Sequence, residues 1–278
     1  MFLLSVFVAM KRAPRRDLVP ACLLLLASTF CVAPPRIAVA LTPAEYDNVG
    51  VTLPADAAIP SDVMIRDQRG QSELLDKLIT RPTVLVLSDY RCKTLCGPVL
   101  DFVVSALEQS GLKPGDQFDV LVLALDPRDT GADVQAVRRQ HLSDDNDLAR
   151  ATSFFTGDES SIARLTAALG YRYLYDAAAD QFVHPAAAFV LRADHHVSRV
   201  LTGVGLSGAD MRLALVEAGQ GKIGNLSDQV RLLCSAFDPA QGTYTPIISR
   251  TLEIASTVTL VLLAGSIGFL ALSNRRSA

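Results

Sequence analysis

The sequence predicts an α/β fold with a central mixed sheet flanked by helices, followed by a C-terminal transmembrane helix. Three observations carry this reading. Short apolar runs suited to buried strands alternate with amphipathic helical segments through the middle of the chain. The pattern closes on two strands joined by a turn, which adds an antiparallel edge to a largely parallel sheet. Last, Ile254–Ser273 (IASTVTLVLLAGSIGFLALS) contains no charge, and twenty residues at about 1.5 Å each match a hydrocarbon core of about 30 Å.

Taken in order, 41–60 is rich in Pro and Ala and reads as a linker or an extended lead-in strand. Pro82–Ser88 is continuously apolar and suits a buried central strand. Residues 97–110 place Val99, Phe102, Val103, Ala106 and Leu107 at helical spacing, and Gly111 ends them. Phe118–Leu125 is a second buried strand. Thr130 and Asp133 form a capping pair for a helix carrying Val134 and Val137. Ser153–Thr156 is a short strand. Asp158 starts a helix with Ile162, Leu165 and Leu169, closed by Gly170. Tyr171–Tyr175 and Ala186–Leu191 follow as strands, Val197–Leu201 pairs with the latter, and Ser207 with Asp210 caps a last helix. Lys222–Tyr244 shows no strong period and reads as a tether.

The two ends of the chain set its expected topology. Lys11, Arg12, Arg15 and Arg16 follow Met10 and precede the apolar run Leu18–Ala33. Ala38-Val39-Ala40 then offers small residues where a signal peptidase reads, so 1–40 is expected to be a signal peptide. Its removal takes five basic residues and one acidic one, leaving 21 against 28 and a net charge of −7 in place of −3. At the other end Arg275 and Arg276 follow the uncharged run, and the positive-inside bias puts them in the cytoplasm. Both signals agree on a bacterial inner-membrane protein with a single C-terminal span and a periplasmic domain.

Composition excludes some functions. The near-balanced charge and the absence of a basic block interleaved with aromatics argue against a nucleic-acid partner. Of the five cysteines, Cys22 and Cys31 fall in the signal segment, and Cys92, Cys96 and Cys234 cannot all pair, so this is no small disulfide framework. Cys92-Lys-Thr-Leu-Cys96 lies where the first buried strand gives way to a helix with Pro98 in its first turn. Cys96 is then at or beside the helix N-terminus, where the partial positive charge favours a thiolate. Two such cysteines can close a disulfide, clamp a soft metal, or stay inert in the core. A permanent disulfide gains weight in an oxidising compartment.

Among the histidines, His141 ends a polar helix and is expected in solvent. His195 and His196 fall in a turn. His184, before Pro185 and an apolar strand, is either a loop histidine with ordinary partners or a residue facing the cysteines. Cys234 in LLCSAF reads as a small packing residue.

The stretches VLVLSDYRCKTLCGPVL, LALDPRDT, FTGDESSIARLTAALGYRY and FVHPAAAFVLRADHHVSRVLTGVG resemble the Sco/SenC family in order and spacing, from about Asp62 to Lys222. The resemblance implies a thioredoxin-like fold and a role in cytochrome c oxidase assembly, as copper chaperone or thiol reductant. Carried over by position, the copper ligands are Cys92, Cys96 and His184. The acidic motif falls on Asp126, Pro127, Asp129 and Thr130, one residue shorter than usual, with Asp126 placed to hydrogen-bond the site and Asp129 supporting it. Gly97 departs from the family, in which proline often follows the second cysteine directly, and the anchor is C-terminal where many members have an N-terminal one.

The resulting division is a signal peptide (1–40), a linker (41–60), a thioredoxin-like copper-binding domain (61–223), a juxtamembrane tether (224–250), a transmembrane helix (251–273) and a cytoplasmic tail (274–278). The leading expectation is a metallochaperone carrying Cu(I) or Cu(II) to a respiratory oxidase subunit or another copper protein. The alternatives are a thiol-disulfide oxidoreductase using Cys92 and Cys96, served by a periplasmic thiol-disulfide donor, and a tethered interaction module with a static disulfide.

Overall fold

The computed structural model describes residues 47–92, 96–142, 146–203 and 205–276, with the side chains of 96–97, 246, 248–251 and 268–276 outside that description. The expected signal peptide at 1–40 lies outside the described residues. In chain order the strands are β1 (Gly50–Val51), β2 (Met64–Arg66), β3 (Ser72–Leu74), β4 (Thr83–Ser88), β5 (Asp119–Ala124), β6 (Thr152–Gly157), β7 (Tyr171–Arg172), β8 (Leu174–Asp176), β9 (Gln181–Val183), β10 (Ala187–Leu191), β11 (Val197–Thr202), β12 (Ser235–Asp238) and β13 (Thr243–Pro246). The helices are α1 (Leu75–Leu78), α2 (Cys96–Gln109), α3 (Gly131–His141), α4 (Asp147–Ala151), α5 (Glu159–Ala168), α6 (Gly208–Ala218), α7 (Leu226–Cys234) and α8 (Ile248–Arg276).

Seven strands form the main sheet in the order β11-β10-β4-β5-β6-β2-β3. The centre is parallel, with Thr83 to Ser88 of β4 opposite Asp119 to Ala124 of β5, and β5 beside β6. Both edges are antiparallel: β10 on β4 with β11 outside it, and β2 on β6 with β3 outside. The fold is therefore mixed α/β with a central mixed sheet.

Strand periodicity divides the core into two layers. Val84, Val86, Val120 and Val122 pack with Leu100, Val103 and Leu107 of α2, Val134 and Val137 of α3, and Met211 and Leu215 of α6. Leu85, Leu87, Leu121 and Leu123 point the other way, toward Ile162 and Leu165 of α5. Because both faces of β4 and β5 are covered, their sequences are continuously apolar rather than alternating.

Helix starts follow the local chemistry. Thr130 N and Oγ1 both donate to Asp133 Oδ2, at 2.8 and 2.6 Å. Asp158 accepts from Ser161 N at 2.9 Å, and Ser207 Oγ from Asp210 N at 3.0 Å.

Three differences from the sequence reading matter. Residues 61–81, which show no clear pattern, supply β2, β3 and α1, each too short for periodicity to register. The single strand expected at 171–175 is two, because β7 pairs with β1 and β8 pairs with β9. The patternless stretch 222–244 holds α7 and most of a hairpin of β12 and β13. Asn225 Oδ1 accepts from Asp228 N, and Asp228 Oδ2 from Asn225 N, a reciprocal cap that was readable as N-x-x-D.

Among the described residues no helix is long and apolar enough to cross a membrane. The backbone of α8 is helical over 29 residues, and its apolar side chains from Leu252 to Ile267 are exposed.

Candidate functional site

Two parallel strands end side by side, so the loops leaving β4 and β5 emerge at one sheet edge, the usual place for a site in such folds. Strand β10 runs the other way, with Ala188 opposite Val86. It begins where β4 ends, so the residues just before it arrive at the same edge. His184 is among them, and this is how the fold brings a residue far along the chain toward Cys92.

The loop after β4 runs Asp89-Tyr90-Arg91-Cys92. Tyr90 Oη contacts the Val122 and Phe155 carbonyls at 2.8 and 2.9 Å, pinning the loop under the sheet end. Buried Asp89 accepts from Arg91 N at 2.9 Å and from Phe182 N at 2.7 Å. Cys92 Sγ lies 3.6 Å from Gln181 Oε1, within reach for S–H donation. Phe182 and Gln181 belong to β9, so the hairpin that delivers His184 is tied to the cysteine loop at two points. Cys96 is the first helical residue of α2, a 14-residue helix, and its side chain lies outside the described residues.

His184 is half-buried. Its Nδ1 stands 3.2 Å from the Pro185 carbonyl and 3.1 Å from Tyr171 Oη, and Tyr171 Oη donates to the same carbonyl at 3.1 Å. A carbonyl only accepts, so Nδ1 carries the proton and Nε2 the lone pair. Among the described residues Nε2 is buried without a hydrogen-bond partner. Burial pushes the imidazole pKa below its ordinary value, against smaller opposing effects of the Pro185 carbonyl and Asp89. A neutral imidazole with a sealed, unpartnered Nε2 is the form a metal ligand takes.

The loop after β5 brings the acidic pair. Asp126 binds Arg128 through Nε at 2.9 and 3.0 Å and Nη2 at 2.7 Å, and also binds Arg91. Burial alone would raise its pKa, but the Arg128 and Arg91 bonds outweigh it and hold the carboxyl below its usual value. Asp129 differs. Arg91 Nε is 2.9 Å from Asp129 Oδ1, close enough for an ion pair but not aligned as a hydrogen bond, and both carboxyl oxygens are buried without such a bond. Burial first, then the Asp126 charge, push Asp129 up to about 7, with Arg91 opposing. Arg128 also reaches Asp180 at 2.8 Å, and Tyr175 Oη donates to Asp180 at 2.6 Å, so this loop too is fastened to the β8–β9 hairpin.

The arrangement thus places Cys92, Asp126, Asp129 and His184 on three interlocked loops at one edge. Among the described residues no three of His, Cys, Asp or Glu are grouped to hold a metal ion; the Cys96 thiol is not among those residues.

The other histidines are elsewhere. His141 Nδ1 pairs with Asp101 at 2.6 Å and its side chain is largely covered rather than solvated. His195 has a positive φ of 71° in the turn between β10 and β11, and His196 Nδ1 approaches the Asp194 carbonyl at 3.1 Å. Cys234 ends α7. Residues that sequence reasoning missed are Asp89, Arg91, Gln181, Tyr171, Arg128 and Asp180. Asp89 and Arg91 just before Cys92, Arg128 between the two aspartates and Tyr171 after Gly170 lay inside the four Sco/SenC-like stretches, whereas Gln181 and Asp180 carried no local signal.

No family model matches the chain, and no curated protein matches it significantly. Solved structures do. One is a protein of Aquifex aeolicus VF5 named as a candidate for electron transfer, at TM-score 0.53 and 20% identity, over 59% of this chain and 94% of its own. A second from the same source, named as a candidate for electron transport, gives 0.50 and 20% over 59% and 98%. Sco and SenC structures are among the further matches, including copper-bound ScoI of Bradyrhizobium japonicum at TM-score 0.44 and 18% identity, over 57% and 96%. At these identities the likeness is one of fold.

Proposed function

We propose that the chain carries copper as cargo between Cys92, Cys96 and His184, and delivers it to a respiratory cytochrome oxidase subunit or another copper protein. The observation that carries this reading is His184 Nε2, buried and without a hydrogen-bond partner among the described residues, while the Pro185 carbonyl beside Nδ1 favours the proton there. A loop histidine of merely structural role would satisfy both nitrogens or leave one in water. Two thiolates and an imidazole make a soft, low-coordinate site that selects Cu(I), and with a weaker fourth ligand accommodates Cu(II). Zinc prefers four closed ligands. The start of α2 favours the Cys96 thiolate. The motifs shared with Sco/SenC sequences bring in the oxidase.

In this reading α8 anchors the protein. Over the turn of Leu260, Val261, Leu262 and Leu263 the helix is apolar on every side, since these four consecutive residues are all more than half exposed. A helix apolar all round needs an apolar surrounding. A bilayer supplies it, with the α/β domain in the periplasm and Arg275 and Arg276 in the cytoplasm.

A second reading is thiol-disulfide exchange on a copper-accepting partner, with a periplasmic donor resetting the pair. It draws on Cys96 being the first residue of α2, where a thiolate is activated. The two are chemically linked, because oxidising the cysteines removes two ligands.

Copper stoichiometry of the detergent-solubilised chain tests the proposal. The reduced protein should bind one copper per chain and the oxidised protein none. His184→Ala should keep weak Cu(I) binding and lose the Cu(II) form with its sulfur-to-copper charge-transfer band. His195→Ala with His196→Ala should change neither. Unaltered Cu(II) binding in His184→Ala would sink the ligand assignment, and reductase activity surviving that variant would favour the second reading.

A further inference from the structure

Helix α7 turns an apolar side outward. Leu226, Val230 and Leu233 fall at i, i+4 and i+7, one face of a helix, and are 81%, 47% and 61% exposed. The opposite side is fastened: Asp228 is buried and takes Arg212 Nε at 2.7 Å and Nη2 at 2.8 Å. The helix therefore shows these residues outward because it is held that way. Asp228 is also its one acidic residue, so the outward surface carries exposed Arg231 and no carboxylate.

The position of α7 says what covers this face. Ile247 N donates to the Cys234 carbonyl at 2.7 Å, so the last residue of α7 adjoins the residue just before α8. The two helices adjoin there, and the β12–β13 hairpin takes up the chain between them. The C-terminal end of the apolar stripe, at Leu233, thus lies close to where α8 begins.

We infer that α7 is an interfacial helix that seats the α/β domain on a phospholipid bilayer, with Leu226, Val230 and Leu233 in the headgroup–acyl boundary and Arg231 among the phosphates. This rests on the reading of α8 as a membrane anchor. Short amphipathic helices with a cationic polar side lie in the boundary at a depth of about 5–10 Å. With α7 and α8 both engaged, the domain cannot swivel freely about a single tether, and the sheet edge bearing Cys92 and His184 keeps a set orientation to the membrane.

The chain contains no tryptophan, so an introduced indole reports alone. Val230→Trp, Leu233→Trp, Leu262→Trp in α8 and Ala163→Trp on α5 are each made in the full chain and reconstituted into phosphatidylcholine–phosphatidylglycerol vesicles. Emission is then compared with and without lipids brominated at shallow or deep acyl positions. The indoles at 230 and 233 should be quenched by shallow bromines, that at 262 by deep ones, and that at 163 by neither. Quenching at 262 with none at 230 and 233 would overturn this inference alone and leave the face to a second copy of the chain or to water. No quenching at 262 would overturn the anchor reading and the inference with it. Equal quenching at 163 and 230 would show a domain without fixed orientation and defeat the inference as well.

Discussion

Asp126 and Asp129 are three residues apart and share Arg91, yet their pKa values are pushed in opposite directions. Asp126 gathers two guanidinium groups. Asp129 is buried beside that charge with one misaligned ion pair. Desolvation disfavours the anion, and the neighbouring carboxylate disfavours it further. This has a definite consequence for stability. An unfolded aspartate loses its proton near pH 3.9, whereas folded Asp129 keeps its proton up to about 7. Between those values the folded state binds more protons, so the unfolding free energy falls as pH rises. The contribution is fully present below about pH 4 and is gone above about 7. Asp129→Asn should remove this slope, matching the parent at pH 4 and exceeding its denaturation midpoint at pH 8. A variant less stable than the parent at pH 8 would show that the Arg91 contact outweighs burial.

At the scale of elements, the segment after α6 is fastened rather than trailing. Tyr244 N donates to Asp210 Oδ1 at 2.8 Å, Arg199 stands 5.0 Å over the Phe237 ring, and Arg212 with Asp228 locks α7 to α6. Breaking a buried pair by removing one partner costs roughly 3–5 kcal/mol. Arg212 keeps the Ser110 carbonyl at 2.7 Å, which softens the loss. Asp228→Ala should therefore act locally: hydrogen exchange over 226–246 should accelerate by an order of magnitude or more, with β4 and β5 unchanged, because the segment is held through α6 and β11 at the outside of the domain. Uniform acceleration across the central strands would mean that the segment is part of the global folding unit.

For the whole molecule, if α8 spans a bilayer as proposed, its direction decides which compartment holds the sheet edge with Cys92 and His184. The uncharged run 254–273 is closed by Arg250 and Glu253 on one side and Arg275 and Arg276 on the other. A reporter fused after Ala278 should be active only in its cytoplasmic form. Periplasmic activity of that fusion would reverse the topology and put the thiols in a reducing compartment, where the copper proposal and its redox coupling would both lose their footing.

Much of this protein is determined by its sequence alone. The buried strands β4 and β5 are legible as apolar runs, α3, α5 and α6 by their caps, and the approach of Cys92 to the start of α2 by a spacing of four. All of these depend on neighbours along the chain, where propensity, periodicity and hydrogen-bonding reach act. Tertiary structure decided what depends on strand order. Gln181 meets Cys92 across 89 positions, and β10 runs antiparallel beside β4, which returns His184 to that edge. The proton on Nδ1 is set by a carbonyl and a tyrosine, and the outward face of α7 by an arginine on α6. No local pattern encodes these contacts, because a pairing register is chosen by the competition of all strands for partners, and burial of a given atom is known only once that competition is settled.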